Sequence, residues 1–600
     1  MAFYGAWSLR RLAEAKPKNA IRSKKGMMMR MKYRQNRVLC RYLCLVTAII
    51  LLLSGCQRNP AGSESSSDTV LTGETESTQV PVSATEKKHY QVIYNSDSTH
   101  IEQNESPYHV GSTNTLLTTS MVKAAVQEAI DAGIDCYSLA PGQCWVPWWP
   151  SQYTQEHLAW YTQKLGGTNF SNPYWNYIQM RGNDMIQDCI DVCRENDVGF
   201  FLSFRLNDAH HISGDRTAAN SDVAFDAEIV VDHPEYQIGY VPSYGWTETV
   251  LDFQYQEVVD NRLKLMRELI ENYEIDGFEL DFTRRYCLFN VDTTTEEQRL
   301  DIMLGILREV RQMLDEATER DGRYRHLSVR IPVWDDTYSD MGINLEEFAK
   351  AGVTIFNVTA SYFTAQENLD ITAIKEKVGN AEVYYELHFI TAVDYDDDGK
   401  RIHRRATVEQ LCTTALIAYE QGADGISFFN FQYYRGDRVS ELDRPYTEPP
   451  WEVIGYVKSP EQLKTMNQHY FFGKTWRDSF YKGWVMPLQM TKNAEKTLDI
   501  YMVSPEEGWS GTGVFTIQSL DEFSDQHLFT VCLNGVELKS IEWQGKPYEN
   551  EYTQMIGEAN NYRSWEVPVS LLMEGSNTVT VRMTSGAEIS LCFVELAVQP

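Results

Sequence analysis

The stretch Ile275-Asp276-Gly277-Phe278-Glu279-Leu280-Asp281-Phe282-Thr283-Arg284-Arg285 decides how this chain is read. It has the look of a buried strand that ends in charged residues. Successive strand side chains face opposite ways, so Phe278, Leu280 and Phe282 share one face while Glu279 and Asp281 share the other. The apolar face needs a covering layer. Two adjacent carboxylates on the opposite face are costly to bury unless a hydrogen-bond network or chemistry requires them. A strand built this way predicts helices on its outer side and a functional site at its acidic end.

Working outward, seven further apolar runs lie at residues 90–95, 135–140, 198–206, 326–333, 354–361, 382–389 and 425–431. Amphipathic helical stretches fall between them, at 120–132, 184–195, 257–273, 296–317 and 407–421. Strand and helix in alternation predict a parallel sheet with crossover helices. Eight such units over residues 88–455 fit an α/β fold of the (β/α)8 TIM-barrel type. A doubly wound open sheet is the alternative, and the missing Gly-rich loop after the first run counts against it. After Trp451 the texture changes. Residues 456–490 read as a connecting segment, and short β-type runs at 497–502, 513–517, 528–533, 578–583 and 589–598 predict a β-sandwich over 491–600.

The N-terminal region reads as an address. Arg30, Lys32, Arg34, Arg37 and Arg41 precede an apolar run from Leu43 to Leu53, which is short for a membrane span. The run closes in Leu53-Ser54-Gly55-Cys56, the order of a bacterial lipoprotein signal, so residues 1–56 are expected to be a signal region with Cys56 lipidated. Met31 gives a more typical signal length than Met1. Residues 57–87, rich in Ser, Thr and Glu, are expected to form a flexible tether. The expected location is therefore the bacterial cell envelope, with the protein exported and held by lipid.

Composition narrows the function classes. A chain of 600 residues with 43% hydrophobic and 12% aromatic residues is globular and large enough for a barrel plus a module. A net charge of −30 argues against nucleic acid as a partner. Of eleven cysteines, Cys40, Cys44 and Cys56 fall in the signal region, and the rest are too sparse for a disulfide scaffold. Cys189 and Cys193, four apart on a helix, are expected in the core.

Active sites of such barrels form at the carboxyl ends of the strands. Those ends carry Asn95, Ser96 and Asp97; Ser203, Arg205, Asn207, Asp208, His210 and His211; Glu279 and Asp281; Arg330 and Trp334; Asn357, Thr359 and Ser361; Glu386 and His388; and Asn430. Paired carboxylates across a cleft suit glycosidic bond cleavage, one protonating the leaving oxygen and the other attacking or activating water. Glu279 or Asp281 is expected to work against Glu386, the remaining member orienting its neighbour. Asn95, Asp97, Arg205, Asn207, His210, Arg330, Asn357, His388 and Asn430 are the candidates for holding sugar hydroxyls or an anionic substituent, and Trp334 is a candidate for stacking on sugar or for the core. Trp148 and Trp149, in an aromatic-rich loop after the second strand, are candidate stacking walls, although such a loop also buries aromatics for itself. His210-His211 lacks zinc-ligand spacing, and the acidic run Asp394-Tyr395-Asp396-Asp397-Asp398-Gly399 has Arg405 where a calcium loop requires Glu. No metal or cofactor is expected.

With Phe200-Phe201-Leu202-Ser203-Phe204-Arg205-Leu206-Asn207-Asp208-Ala209-His210 and Asp276-Gly277-Phe278-Glu279-Leu280-Asp281-Phe282 in view, residues 88–455 resemble bacterial family-10-like glycosyl hydrolase barrels. The resemblance implies a TIM barrel acting on carbohydrate, with the acidic fourth strand in its site. Leu280-Asp281 stands where true family-10 xylanases have an Asn-Glu pair. The Asp-Gly-Phe-x-Leu-Asp string also resembles the nucleophile strand of amylase-type barrels, which implies Asp281 as the attacking group. The C-terminal module is similar to jelly-roll accessory modules of glycosidases. The expectation is a lipoprotein glycosidase with a carbohydrate substrate. Its rivals are a barrel that captures glycans without cutting them and a metal-dependent hydrolase of amides or esters.

Overall fold

The computed structural model describes residues 86–599, apart from 104–105, 110–115, 144, 167–169, 211–220, 240–249, 285, 361, 396–400, 436–447, 476–483 and 543–558. The signal region, Cys56, the tether up to residue 85, His211, Arg285, Ser361 and the centre of the acidic run lie outside the described residues.

Eight parallel strands close into a barrel: β1 (Val92–Ser96), β2 (Cys136–Leu139), β3 (Gly199–Arg205), β4 (Gly277–Asp281), β5 (His326–Pro332), β6 (Ile355–Thr359), β7 (Glu382–His388) and, after a hairpin of β8 (Ile390–Tyr395) and β9 (Arg401–Arg405), β10 (Gly425–Phe429). Strands adjacent in sequence are neighbours around the barrel, and β10 closes it between β7 and β1. Each of the eight expected runs is one of these strands. The intervening helices include Thr119–Asp131, Met185–Glu195, Gln256–Asn272, Glu296–Asp321 and Val408–Glu420. Thr295 and Thr407 start the last two with reciprocal capping boxes.

Alternation along the strands produces two unlike faces. Outward residues such as Phe200, Leu202, Phe278, Leu280, Val329, Val358, Val383 and Phe428 join one apolar core with the helices. Burying each side chain of this size contributes roughly 1.5–3 kcal/mol, which pins the strands' orientation. Inward, Ile93, Cys136, Phe201, Ile355 and Tyr384 join Tyr90 in a small apolar plug at the amino-terminal end. Above that plug the interior turns polar, with Asn95, Ser138, Ser203, Glu279, Ser328, Asn357, Glu386 and Ser427, all buried. TIM barrels usually fill this layer with branched apolar side chains.

The C-terminal part is a pair of antiparallel sheets. One has the order β11 (Gln468–Gly473), β20 (Ile589–Gln599), β14 (Ser510–Ser519), β18 (Tyr562–Pro568), β17 (Lys539–Ile541), with β12 (Leu488–Met490) also on β20. The other runs β13 (Glu495–Met502), β19 (Gly575–Ser585), β15 (Leu528–Leu533), β16 (Val536–Glu537). This corrects the expectation of a mere connector at 456–490, which supplies β11 and β12. Tyr470, Phe471 and Phe472 are buried there, so the segment serves as sheet core.

Candidate active site

Two of the sequence-predicted acids, Asp281 and Glu386, meet inside the barrel on one guanidinium, and the third, Glu279, lies just beneath them. Arg330 of β5 places its Nε 3.0 and 2.9 Å from the two carboxyl oxygens of Glu386, and its Nη2 also donates to Glu386. Its Nη1 donates to both oxygens of Asp281 at 3.2 Å and to the hydroxyl of Thr283. The register explains the meeting. Asp281 and Arg330 are paired neighbours across β4 and β5, and Arg330 leans over Asn357 of β6 toward β7. The Phe429 ring lies 4.4 Å from the guanidinium carbon and covers it.

One step deeper, Glu279 accepts from Ser203 Oγ at 2.7 Å and Ser328 Oγ at 3.1 Å, its register partners on β3 and β5. A single nitrogen, Nδ2 of Asn357, reaches Glu279 at 3.3 Å and Glu386 at 3.2 Å. Ser427 Oγ donates to Asn357 Oδ1 at 2.7 Å, which fixes the amide so that Nδ2 faces the acids. Asn95 Nδ2 donates to Glu386 at 2.8 Å, and His388 Nε2 lies 2.9 Å from both Glu386 and Thr359.

Environment drives the two glutamates apart. Burial pushes the Glu279 carboxyl up to about 7, with Asp281 and Glu386 adding to the rise and Ser203 and Arg330 opposing it. Burial opposes ionisation of Glu386 as well, but Arg330 and His388 overcome it and hold that carboxyl far below its ordinary range. Burial also lowers the proton affinity of His388. The three acids are almost sealed: Glu279, Asp281 and Glu386 are 3%, 4% and 0% exposed.

A second polar cluster stands above, toward the strand ends. Arg205 sits 3.0 Å from Asp208 and 3.6 Å from Asp97. Asp208 also meets His210 Nδ1 at 2.6 Å and Arg284 Nε at 3.7 Å. Arg284 bonds Tyr362 and His210 Nε2. Asp97 accepts from Thr99, whose hydroxyl lies 2.7 Å from that of Tyr433, and its backbone N–H donates to Asn430. Burial disfavours ionised Asp208, and His210, Arg205 and Arg284 more than reverse this, keeping it an anion. His210 and Arg284 are the open edge of the cluster, their side chains 28% and 21% exposed.

Four expected binding residues are corrected by their surroundings. Trp148 is buried, stacked on Tyr174 at 4.7 Å, with its N–H on Ala224 O. Trp149 is buried and donates to Glu268. Both belong to the main apolar core, where a ring with one N–H finds area and a partner together. Trp334 donates to Glu367 O and packs edge-on against Trp484 at 4.6 Å. Asn207 donates to the carbonyls of Leu251 and Cys287 and so ties two loops. Asn95, Arg330, Asn357 and His388 lie among the acids and hold carboxylates, while Asp97, Arg205, His210 and Asn430 form the upper cluster. Sequence reasoning missed Ser328, Ser427, Thr283 and Tyr362. The inward parity of β4, β5 and β10 marks the first three, and no sequence signal marks Tyr362.

No family model matches the chain, and no curated protein matches it. Among solved structures, an α-amylase from Anoxybacillus is similar with a TM-score of 0.36 and 12% identity, over 83% of this chain and 98% of that one. An α-amylase from Geobacillus thermoleovorans in complex with acarbose scores 0.35 at 11% identity, over 82% and 99%. A family GH18 chitinase from Chromobacterium violaceum scores 0.34 at 12% identity, over 88% and 92%.

Proposed function

We propose that the chain is a glycoside hydrolase in which the carboxylates at the end of β4 act on a glycan entering at His210 and Arg284. One observation carries this reading: Asp281 and Glu386 share Arg330, Asn357 Nδ2 joins Glu279 to Glu386, and the proton affinities of the two glutamates are driven in opposite directions. A neutral carboxylic acid beside fixed anions is the requirement of acid-assisted glycosidic cleavage. Glu279 is the proton carrier. Asp281, nearer the strand end, is the group that attacks or activates water. Glu386 is clamped by Arg330 and orients that arginine and Asn357.

The test uses the full chain with Glu279→Gln, Asp281→Asn and Glu386→Gln introduced singly. Reducing ends released from a panel of neutral and charged oligosaccharides are measured. Glu279→Gln and Asp281→Asn are expected to lower turnover by about 10²-fold or more. Undiminished turnover in all three ends the assignment.

A second reading, capture of glycans without cleavage, draws on the near-complete burial of the acids and the saturation of Glu386 by Arg330. Depletion of an oligosaccharide from solution without products favours it. Export and anchoring through Cys56 are part of the proposal. Cys56→Ser is expected to release the protein from membranes and abolish incorporation of a labelled fatty acid, and retention of both overturns the anchor.

A further inference from the structure

A second cleft lies outside the barrel interior, beside helix Gln256–Asn272. It is about 280 Å³ and runs between that helix, helix Thr154–Leu165 and the segment from Ala227 to Tyr236. Trp145 forms part of its wall and is tied to the upper cluster, since its N–H donates to Asp208 O at 3.2 Å. Arg262 lies 3.3 Å from that ring and donates to Leu206 O at 3.0 Å. The wall of the cleft is thus fastened to the same β3 end that carries Arg205 and His210.

The cleft has the features of a built receptor. Tyr236 is half-buried and stacked on His233 at 4.9 Å and 13°, with Tyr255 at 5.3 Å, so its plane is set before any ligand arrives. Tyr153 is likewise half-buried and has Lys264 over its ring at 4.9 Å. The charges then select the ligand: Glu156, Glu228 and Glu257 line the cleft against the single Lys264. Aromatic faces with excess carboxylate suit a cation that also carries an apolar surface, through cation–π contact and ion pairing together.

We propose that this cleft is a second glycan site, which binds a sugar residue bearing a protonated amine, with its ring on Tyr236 and its ammonium among Glu156, Glu228 and Glu257. The choice of a sugar rests on the glycoside hydrolase reading, whereas the positive charge rests on the cleft alone.

The experiment uses isothermal titration of the full chain carrying Glu279→Gln, so that hydrolysis does not consume the probe. The probes are the hexamer of glucosamine and its fully N-acetylated counterpart, which differ in charge, at pH 6 and low salt. The free-amine hexamer is expected to bind about tenfold or more tightly than the acetylated one and to weaken as salt rises. Tyr236→Ala and the exposed, near-isosteric Glu228→Gln are each expected to weaken it about tenfold, with hydrolysis by the otherwise native chain unchanged. Equal binding of the two hexamers, no binding of either, or binding indifferent to both variants overturns the proposal. Selective binding in a chain that hydrolyses nothing leaves this site standing and removes only the glycosidase reading.

Discussion

Both carboxyl oxygens of Glu386 accept from the Nε of Arg330, at 3.0 and 2.9 Å, in a contact that is wholly enclosed by the barrel. Enclosed ion pairs gain little net stability, because desolvation offsets their attraction. Breaking one is a different matter, since it strands the surviving charge.

Arg330→Met leaves Glu386 and Asp281 without their shared cation. Urea unfolding is expected to register a loss of about 3–5 kcal/mol. The double variant Arg330→Met/Glu386→Gln is expected to lose less than the sum of its single changes. Additive losses contradict the coupling described here.

Stability should respond to pH in a way that Glu279 and Glu367 dictate. Burial pushes Glu279 up to about 7 and Glu367 up to about 8, the latter against the backbone N–H groups that reach it, among them Gly473 N at 3.1 Å from its Oε1. A carboxyl raised on folding favours the fold fully below its unfolded value, near 4.5, and loses that contribution as pH rises through its folded value. Glu382 acts oppositely. Burial resists its ionisation, but His89 and Lys87 bring it down to about 2, so its contribution is present above 4.5 and fades as pH falls toward 2. Glu367→Gln is therefore expected to raise the urea midpoint relative to the unmodified chain at pH 8.5 and to change it little at pH 4.5. Equal effects at the two pH values contradict the buried-acid account.

Ser427 should matter without touching an acid. Its hydroxyl holds Asn357 Oδ1 at 2.7 Å, and Ser427→Ala frees the amide to turn its oxygen toward Glu279 and Glu386. An acceptor facing two carboxyls favours the protonated form, so the alkaline limb of the pH–turnover profile is expected to move upward while KM stays constant. An unmoved limb removes Ser427 from the positioning network.

The C-terminal sheets are expected to be inseparable from the barrel. Gln366 of the segment after β6 accepts from Phe471 N and donates to His469 O, and Arg404 of β9 reaches Gln518 and Glu595 while stacking over Phe593 at 3.7 Å. Truncation after Val457 strips these buried groups of their partners. The shortened chain is expected to aggregate or to be cleaved rapidly by protease, and a stable, soluble barrel fragment contradicts this.

The legible part of the molecule follows from periodicity. Phe278, Leu280 and Phe282 against Glu279 and Asp281 fix which side of β4 faces inward, and the same parity on β5 and β7 brings Arg330 and Glu386 to one interior. The strand at Gln468–Gly473 is equally legible in its aromatic run Tyr470-Phe471-Phe472, which lies ahead of the region expected to hold the module. Trp148, Trp149 and Trp334 were not legible. An indole suits a sugar platform and a buried loop core equally well, and only the partner of its N–H, here Ala224, Glu268 or Glu367, separates the two. Asn207 misled for the same reason, because an amide that ties loops and one that holds a hydroxyl have the same sequence.

The most direct measurement is a crystal structure of the full chain carrying Asp281→Asn, grown with an oligosaccharide that the unmodified protein depletes from solution. The account predicts a sugar ring at the mouth lined by His210 and Arg284, with its glycosidic oxygen within hydrogen-bond reach of Glu279 or residue 281. A glycan bound only elsewhere, above an undisturbed and closed Asp281–Arg330–Glu386 triad, contradicts it.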